Sequence, residues 1–157
     1  MGKGLFYHLY RRSLEETLAM LLGKARSAGW RVLVRGTSQE RIQWLDDKLW
    51  IMDDQGFLPH GVVGGDYDAF QPVLLSAKPE SPDAIACIMS VDGAYVRPEE
   101  VATLERVCIL FDGNDPDALG AARGQWKALT AAGVTAEYWS EETGSWQKKA
   151  EAQGANS

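Results

Sequence analysis

Cysteine and histidine are scarce, with two of each in 157 residues. Cys87 and Cys108 lie far apart inside apolar runs, in no CxxC pattern, and His8 and His60 share no ligand spacing with them or with each other. No metal or redox centre is expected, and both thiols read as buried core residues. No apolar run approaches the roughly 18 to 20 residues that a membrane span requires. The start of the chain lacks a basic region followed by an apolar core and a cleavage site, so a soluble cytoplasmic protein is expected. Nucleotide and hydrolase motifs are missing too: there is no GxxxxGK(S/T) loop, no GxGxxG after the first strand and no GxSxG elbow.

Positive charge is in the minority. Sixteen Lys and Arg against 22 Asp and Glu leave a net charge of −6, which argues against a broad basic face for duplex nucleic acid and leaves only an indirect link to it. A local basic cluster can still hold an acidic peptide, because neighbours outweigh total charge at short range. The paired acids Glu15-Glu16, Asp46-Asp47, Asp53-Asp54, Glu99-Glu100 and Glu141-Glu142 fall mostly at helix starts and turns. They read as caps and solvated faces, not as acid/base pairs.

What is present is enough apolar material, 45% of the chain, for one substantial core. A single domain over 1–146 is expected, followed by a polar, frayed tail over 147–157. Residues 4–10 read as a first strand, and Ser13 with Glu16 forms a capping box opening a helix that Gly29 ends. Residues 31–35 read as a central strand, and Thr37 with Glu40 caps a second helix carrying Ile42, Leu45 and Leu49. Between Trp50 and Gly65 periodicity is lost and a long loop is expected. Further strands are expected at 72–76, 84–91, 107–111 and 134–139, with a short helix from Pro98. Strands alternating with helices predict an α/β fold with a mostly parallel central sheet flanked by helices.

The most legible stretch runs from Glu105 to Gly133. Val107–Phe111 is an apolar strand, Asp112-Gly113 a turn, and a helix follows with Asn114 or Asp115 as cap, Pro116 in its first turn and Gly133 as its stop. Asp112, Asp115 and Asp117 make that helix start too acidic for phosphate. Arg123, Trp126 and Lys127 are three and four residues apart, so their side chains can border one groove. The spacing of Leu119, Ala122, Trp126 and Leu129 also allows Trp126 to be core, with Arg123 and Lys127 as ordinary solvated charges.

Several segments together resemble the chi subunit of the bacterial DNA polymerase III holoenzyme, a clamp-loader accessory protein. They are Phe6-Tyr7-His8-Leu9, Arg31-Val32-Leu33, Leu45-Asp46-Asp47-Lys48-Leu49-Trp50, Phe57-Leu58-Pro59-His60-Gly61 and Ala122-Arg123-Gly124-Gln125-Trp126-Lys127. The Leu-Trp followed by Phe-x-Pro-His is the most specific, since no folding rule demands it. The resemblance implies a nucleotide-binding-like fold without a phosphate loop, no catalysis and no cofactor. It further implies a grip on the acidic C-terminal tail of single-stranded DNA-binding protein, which ends in phenylalanine. Carried onto this chain, the tail-binding residues are Arg123, Trp126, Lys127 and Phe57, with Trp126 where the family commonly has tyrosine. A psi subunit of the clamp loader is a further implied partner, for which Tyr67, Phe70, Tyr138, Trp139 and Trp146 are candidate surface residues or simply core. The alternative from residues alone is a small nucleotide- or sugar-phosphate-binding enzyme using the strand ends and the Gly61 to Gly65 loop.

Overall fold

The computed structural model describes residues 2–10, 13–52, 60–63, 71–78, 84–141 and 146–152. In chain order the elements are β1 (Lys3–Leu9), α1 (Leu14–Ser27), β2 (Val32–Arg35), α2 (Gln39–Met52), β3 (His60–Val62), β4 (Val73–Ser76), β5 (Cys87–Ser90), α3 (Pro98–Thr103), β6 (Arg106–Asp112), α4 (Pro116–Ala131), β7 (Ala136–Ser140) and β8 (Gln147–Ala152). The eight strands form one sheet in the order β3-β4-β2-β5-β6-β1-β7-β8. Every pairing is parallel except β7 with β8. This is the expected α/β architecture.

Side-chain alternation along the strands divides the core between the two faces of the sheet. Leu5, Tyr7, Val32, Val34, Cys108 and Leu110 meet α1 through Leu18, Leu21 and Leu22, and α2 through Ile42, Leu45 and Leu49. Phe6, Leu33, Val107, Ile109 and Phe111 face the other way, onto Val101 of α3 and Ala122 and Leu129 of α4. Both cysteines are buried and free.

Local chemistry accounts for most element ends. The Glu16 N–H donates to Ser13 Oγ at 3.1 Å, while the Ser13 hydroxyl donates to Glu16 Oε1 at 2.9 Å. The capping pair therefore closes between side chains in addition to the backbone cap. Gly29 (φ 80°) and Gly133 (φ 85°) follow α1 and α4 in the left-handed region, where other residues are strained. Asp115 Oδ1 accepts from Asp117 N at 3.0 Å and starts α4.

Three expectations are corrected. Thr37 is not the cap of α2: its hydroxyl donates to Asp92 O at 3.4 Å, and Ser38 Oγ instead accepts from Arg41 N at 3.4 Å. The segment expected as loop from Trp50 to Gly65 contains the end of α2 and the edge strand β3, paired with β4 from His60 to Val62; residues 53–59 and 64–70 lie outside the described residues. Of the tail expected to fray over 147–157, residues 153–157 lie outside the described residues, and Gln147–Ala152 pairs with β7 as the antiparallel strand β8. Its side chains are exposed almost throughout, so a polar sequence forms a strand whose stability comes from backbone pairing at the sheet edge.

Candidate functional site

Helix α4 lies against the sheet through Ala122, Gln125 and Leu129, its buried residues. Gln125 fixes its rotation with two hydrogen bonds to one residue: Val96 N donates to Gln125 Oε1 at 2.9 Å, and Gln125 Nε2 donates to Val96 O at 3.1 Å. A side-chain amide here completes backbone groups that would otherwise be buried unpaired. With 122, 125 and 129 inward, the 3.6-residue period turns 123 and 127 outward. Arg123 and Lys127 are accordingly exposed, one turn apart, and no ion pair joins either to an acid among the described residues. The surface beside them is open, since a Cβ added at Gly120 or Gly124 would meet nothing within 4 Å.

Trp126 sits on the border between these two faces and is half-buried. Its ring meets Phe6 edge-on at 5.3 Å and Tyr138 edge-on at 6.1 Å between centroids. It therefore belongs partly to the core and partly to the surface that carries Arg123 and Lys127. Tyr138 of β7 extends the aromatic ledge towards Phe111, at 5.9 Å, and His8, at 5.8 Å. The fourth residue implied by the resemblance, Phe57, lies outside the described residues. Tyr138 was not among those residues. Its place beside Trp126 depends on β7 running next to β1, which no local pattern reveals. Tyr138, Trp139 and Trp146, candidates for a second partner surface, are each partly buried against the core, and Tyr67 and Phe70 lie outside the described residues.

The C-terminal edge of the sheet, where open α/β sheets usually hold ligands, presents a different chemistry. A cleft of about 610 Å³ there is lined by Asp92, Asp112, Asp115 and Asp117. Arg41, the one cation among its described lining residues, already donates to both oxygens of Asp92 at 3.1 and 3.3 Å. Asp112, Asp115 and Asp117 have no ion pair among the described residues, and their negative charge around the start of α4 disfavours a phosphate. Among the described residues no three His, Cys, Asp or Glu side chains are grouped to hold a metal ion, and no helix is long and apolar enough to cross a membrane.

A family model for the DNA polymerase III chi subunit, HolC, matches residues 1–137. The chain belongs to this chi subunit family. The match spans β1 through the first part of β7 and so includes all of α4. No curated protein matches the chain. Membership makes this chi-family chain an accessory component of the replicative polymerase.

Proposed function

We propose that this chain is a non-catalytic link between the clamp loader and single-stranded DNA-binding protein, working in the cytoplasm, and that α4 grips the acidic C-terminal tail of that protein. The observation that carries the reading is the arrangement on α4. Two cations without an ion pair among the described residues, Arg123 and Lys127, stand one turn apart on an open face, and the half-buried ring of Trp126 lies beside them. A tail ending in phenylalanine offers a terminal carboxylate for the cations, a ring for Trp126 and Tyr138, and further acids for weak, screened attraction. Phe57 is the additional apolar wall implied by the family resemblance.

The energetics set the scale. A carboxylate held by Arg or Lys contributes roughly 1.5 to 3 kcal/mol, and burial of a phenylalanine ring roughly the same. Weak, screened attraction to the further tail acids adds to these gains and ordering a flexible peptide offsets part of them, so net binding is on the order of −6 kcal/mol, tens of micromolar and weaker. The test is an anisotropy titration of a labelled acidic peptide ending in Pro-Phe against the same peptide lacking the final phenylalanine. Micromolar binding of the first, lost without the phenylalanine and weakened by added salt, is expected. Failure of the complete peptide to bind at low salt would refute the reading. A psi-type clamp-loader partner is a further part of this proposal, tested by co-purification with the clamp-loader components.

A further inference from the structure

On the sheet face opposite α4, α1 packs over β6 while α2 packs over β3 and β4. On the β1–β7 side of α1 the rings of Trp139 and Trp146 pack against this face. Between these rings and α1 runs a cleft of about 480 Å³ whose aromatic walls are Tyr7, Trp30, Trp139 and Trp146. That size falls within the roughly 300 to 1,000 Å³ of small-molecule sites, which are mostly apolar with a few placed polar groups.

The polar groups of this cleft are cationic in excess. The one carboxylate among its described lining residues, Glu137, is already engaged, accepting from Lys3 Nζ at 2.9 Å and from Trp139 Nε1 at 3.0 Å. Lys24, exposed on α1, and Arg106, at the start of β6, also line the cleft, and neither has an acidic partner among the described residues. The guanidinium of Arg106 lies 5.1 Å from the ring centre of Trp30, and its Nε is buried with no hydrogen-bond acceptor among the described residues. A buried donor that lacks an acceptor, on the wall of a cleft, marks a place where an anion would complete the hydrogen bonding. Burial, with the neighbouring Cys108 thiol, pushes the Tyr7 phenol well above its ordinary value, so Tyr7 adds no competing negative charge.

We propose that this cleft binds a small aromatic anion, its flat ring against the indoles of Trp30 and Trp139 and its acidic group held by Arg106 and Lys24. The proposal is independent of the tail-binding reading, because the cleft and α4 lie on opposite faces of the sheet.

The probe is 8-anilinonaphthalene-1-sulfonate, compared with N-phenyl-1-naphthylamine, the same ring system without the sulfonate. The folded full chain is titrated with each dye, with fluorescence read by excitation of the tryptophans. One saturable site for the sulfonate is expected, with the neutral dye bound at least tenfold more weakly. Arg106→Gln and Lys24→Gln should each weaken the sulfonate at least fivefold, and Arg123→Ala should leave it unchanged. Lys24 is exposed, so its variant tests the site even if Arg106→Gln disturbs folding. Equal affinity for the two dyes, unchanged affinity in Lys24→Gln, or loss of the dye in Arg123→Ala would overturn the proposal.

Discussion

Arg35 and Glu100 face each other through two parallel hydrogen bonds, Nη1 to Oε1 at 2.9 Å and Nη2 to Oε2 at 2.7 Å, with both side chains almost fully buried. The pair joins the C-terminal end of β2 to α3, and Arg35 Nη1 also donates to Tyr95 O at 3.2 Å. Removing one partner leaves an uncompensated buried charge, which costs about 3 to 5 kcal/mol. Glu100→Ala should therefore lower the urea midpoint by a corresponding amount. The pH dependence follows from the same contacts. Burial pushes the Glu100 carboxyl up, but the bonds from Arg35 and Arg97 outweigh burial and hold it below its ordinary 4.5. Its stabilising contribution is full above that value and is lost as pH falls through the lower folded-state value. Stability measured from pH 6 to pH 3 should fall more steeply in the natural chain than in Glu100→Ala.

His8 imposes glycine at position 113. A Cβ at Gly113 would lie 1.8 Å from His8 Nε2 and 3.0 Å from Leu9 O. The ring has little room to retreat, because it stacks on Tyr10 at 4.3 Å and its Nδ1 is 2.5 Å from the Tyr138 hydroxyl. Gly113→Ala should destabilise by roughly 1 to 3 kcal/mol through overpacking. His8→Ala in the same chain should recover much of that loss. A double-mutant cycle by denaturant unfolding measures the coupling, and additive effects would contradict the contact.

Trp126 is expected to have two separable roles. Its edge contacts with Phe6 and Tyr138 support the fold, so Trp126→Ala should cost roughly 2 to 3 kcal/mol, less than the about 3 to 5 of a fully buried ring. Trp126→Tyr keeps an aromatic ring at the site. It should retain tail binding and lose no more than about 1.5 kcal/mol of stability. Thermal unfolding and peptide titration of both variants check this; a Trp126→Tyr chain that folds normally but binds no peptide would show that the indole itself is required.

Much of the fold was legible because its signals are local. The Ser13 and Asp115 caps, the stop at Gly133 and the apolar strand over 107–111 each rest on residues within a few positions of one another. The parts that were not legible depend on distant chain. β3 has three residues and no periodicity, and only its pairing with β4 makes it a strand. β8 is polar along its length and takes its conformation from the edge of β7. Ser38 displaced Thr37 as the cap because Asp92, more than fifty residues away, takes the Thr37 hydroxyl. At the candidate site the helical spacing of Arg123, Trp126 and Lys127 could be read directly. The half-burial of Trp126 and the presence of Tyr138 could not, because both come from β1 and β7 lying side by side.

The central claim is that Arg123 and Lys127 hold a peptide carboxylate. Both are exposed and unpaired among the described residues, so alanine at either position should change stability by no more than about 0.5 kcal/mol. The most direct measurement is the titration of the acidic Pro-Phe peptide against Arg123→Ala, Lys127→Ala and the double variant at low salt. Each single variant should weaken binding roughly tenfold, the equivalent of about 1.4 kcal/mol, and the double variant should abolish it while unfolding like the natural chain. Unchanged affinity in all three folded variants would contradict the account.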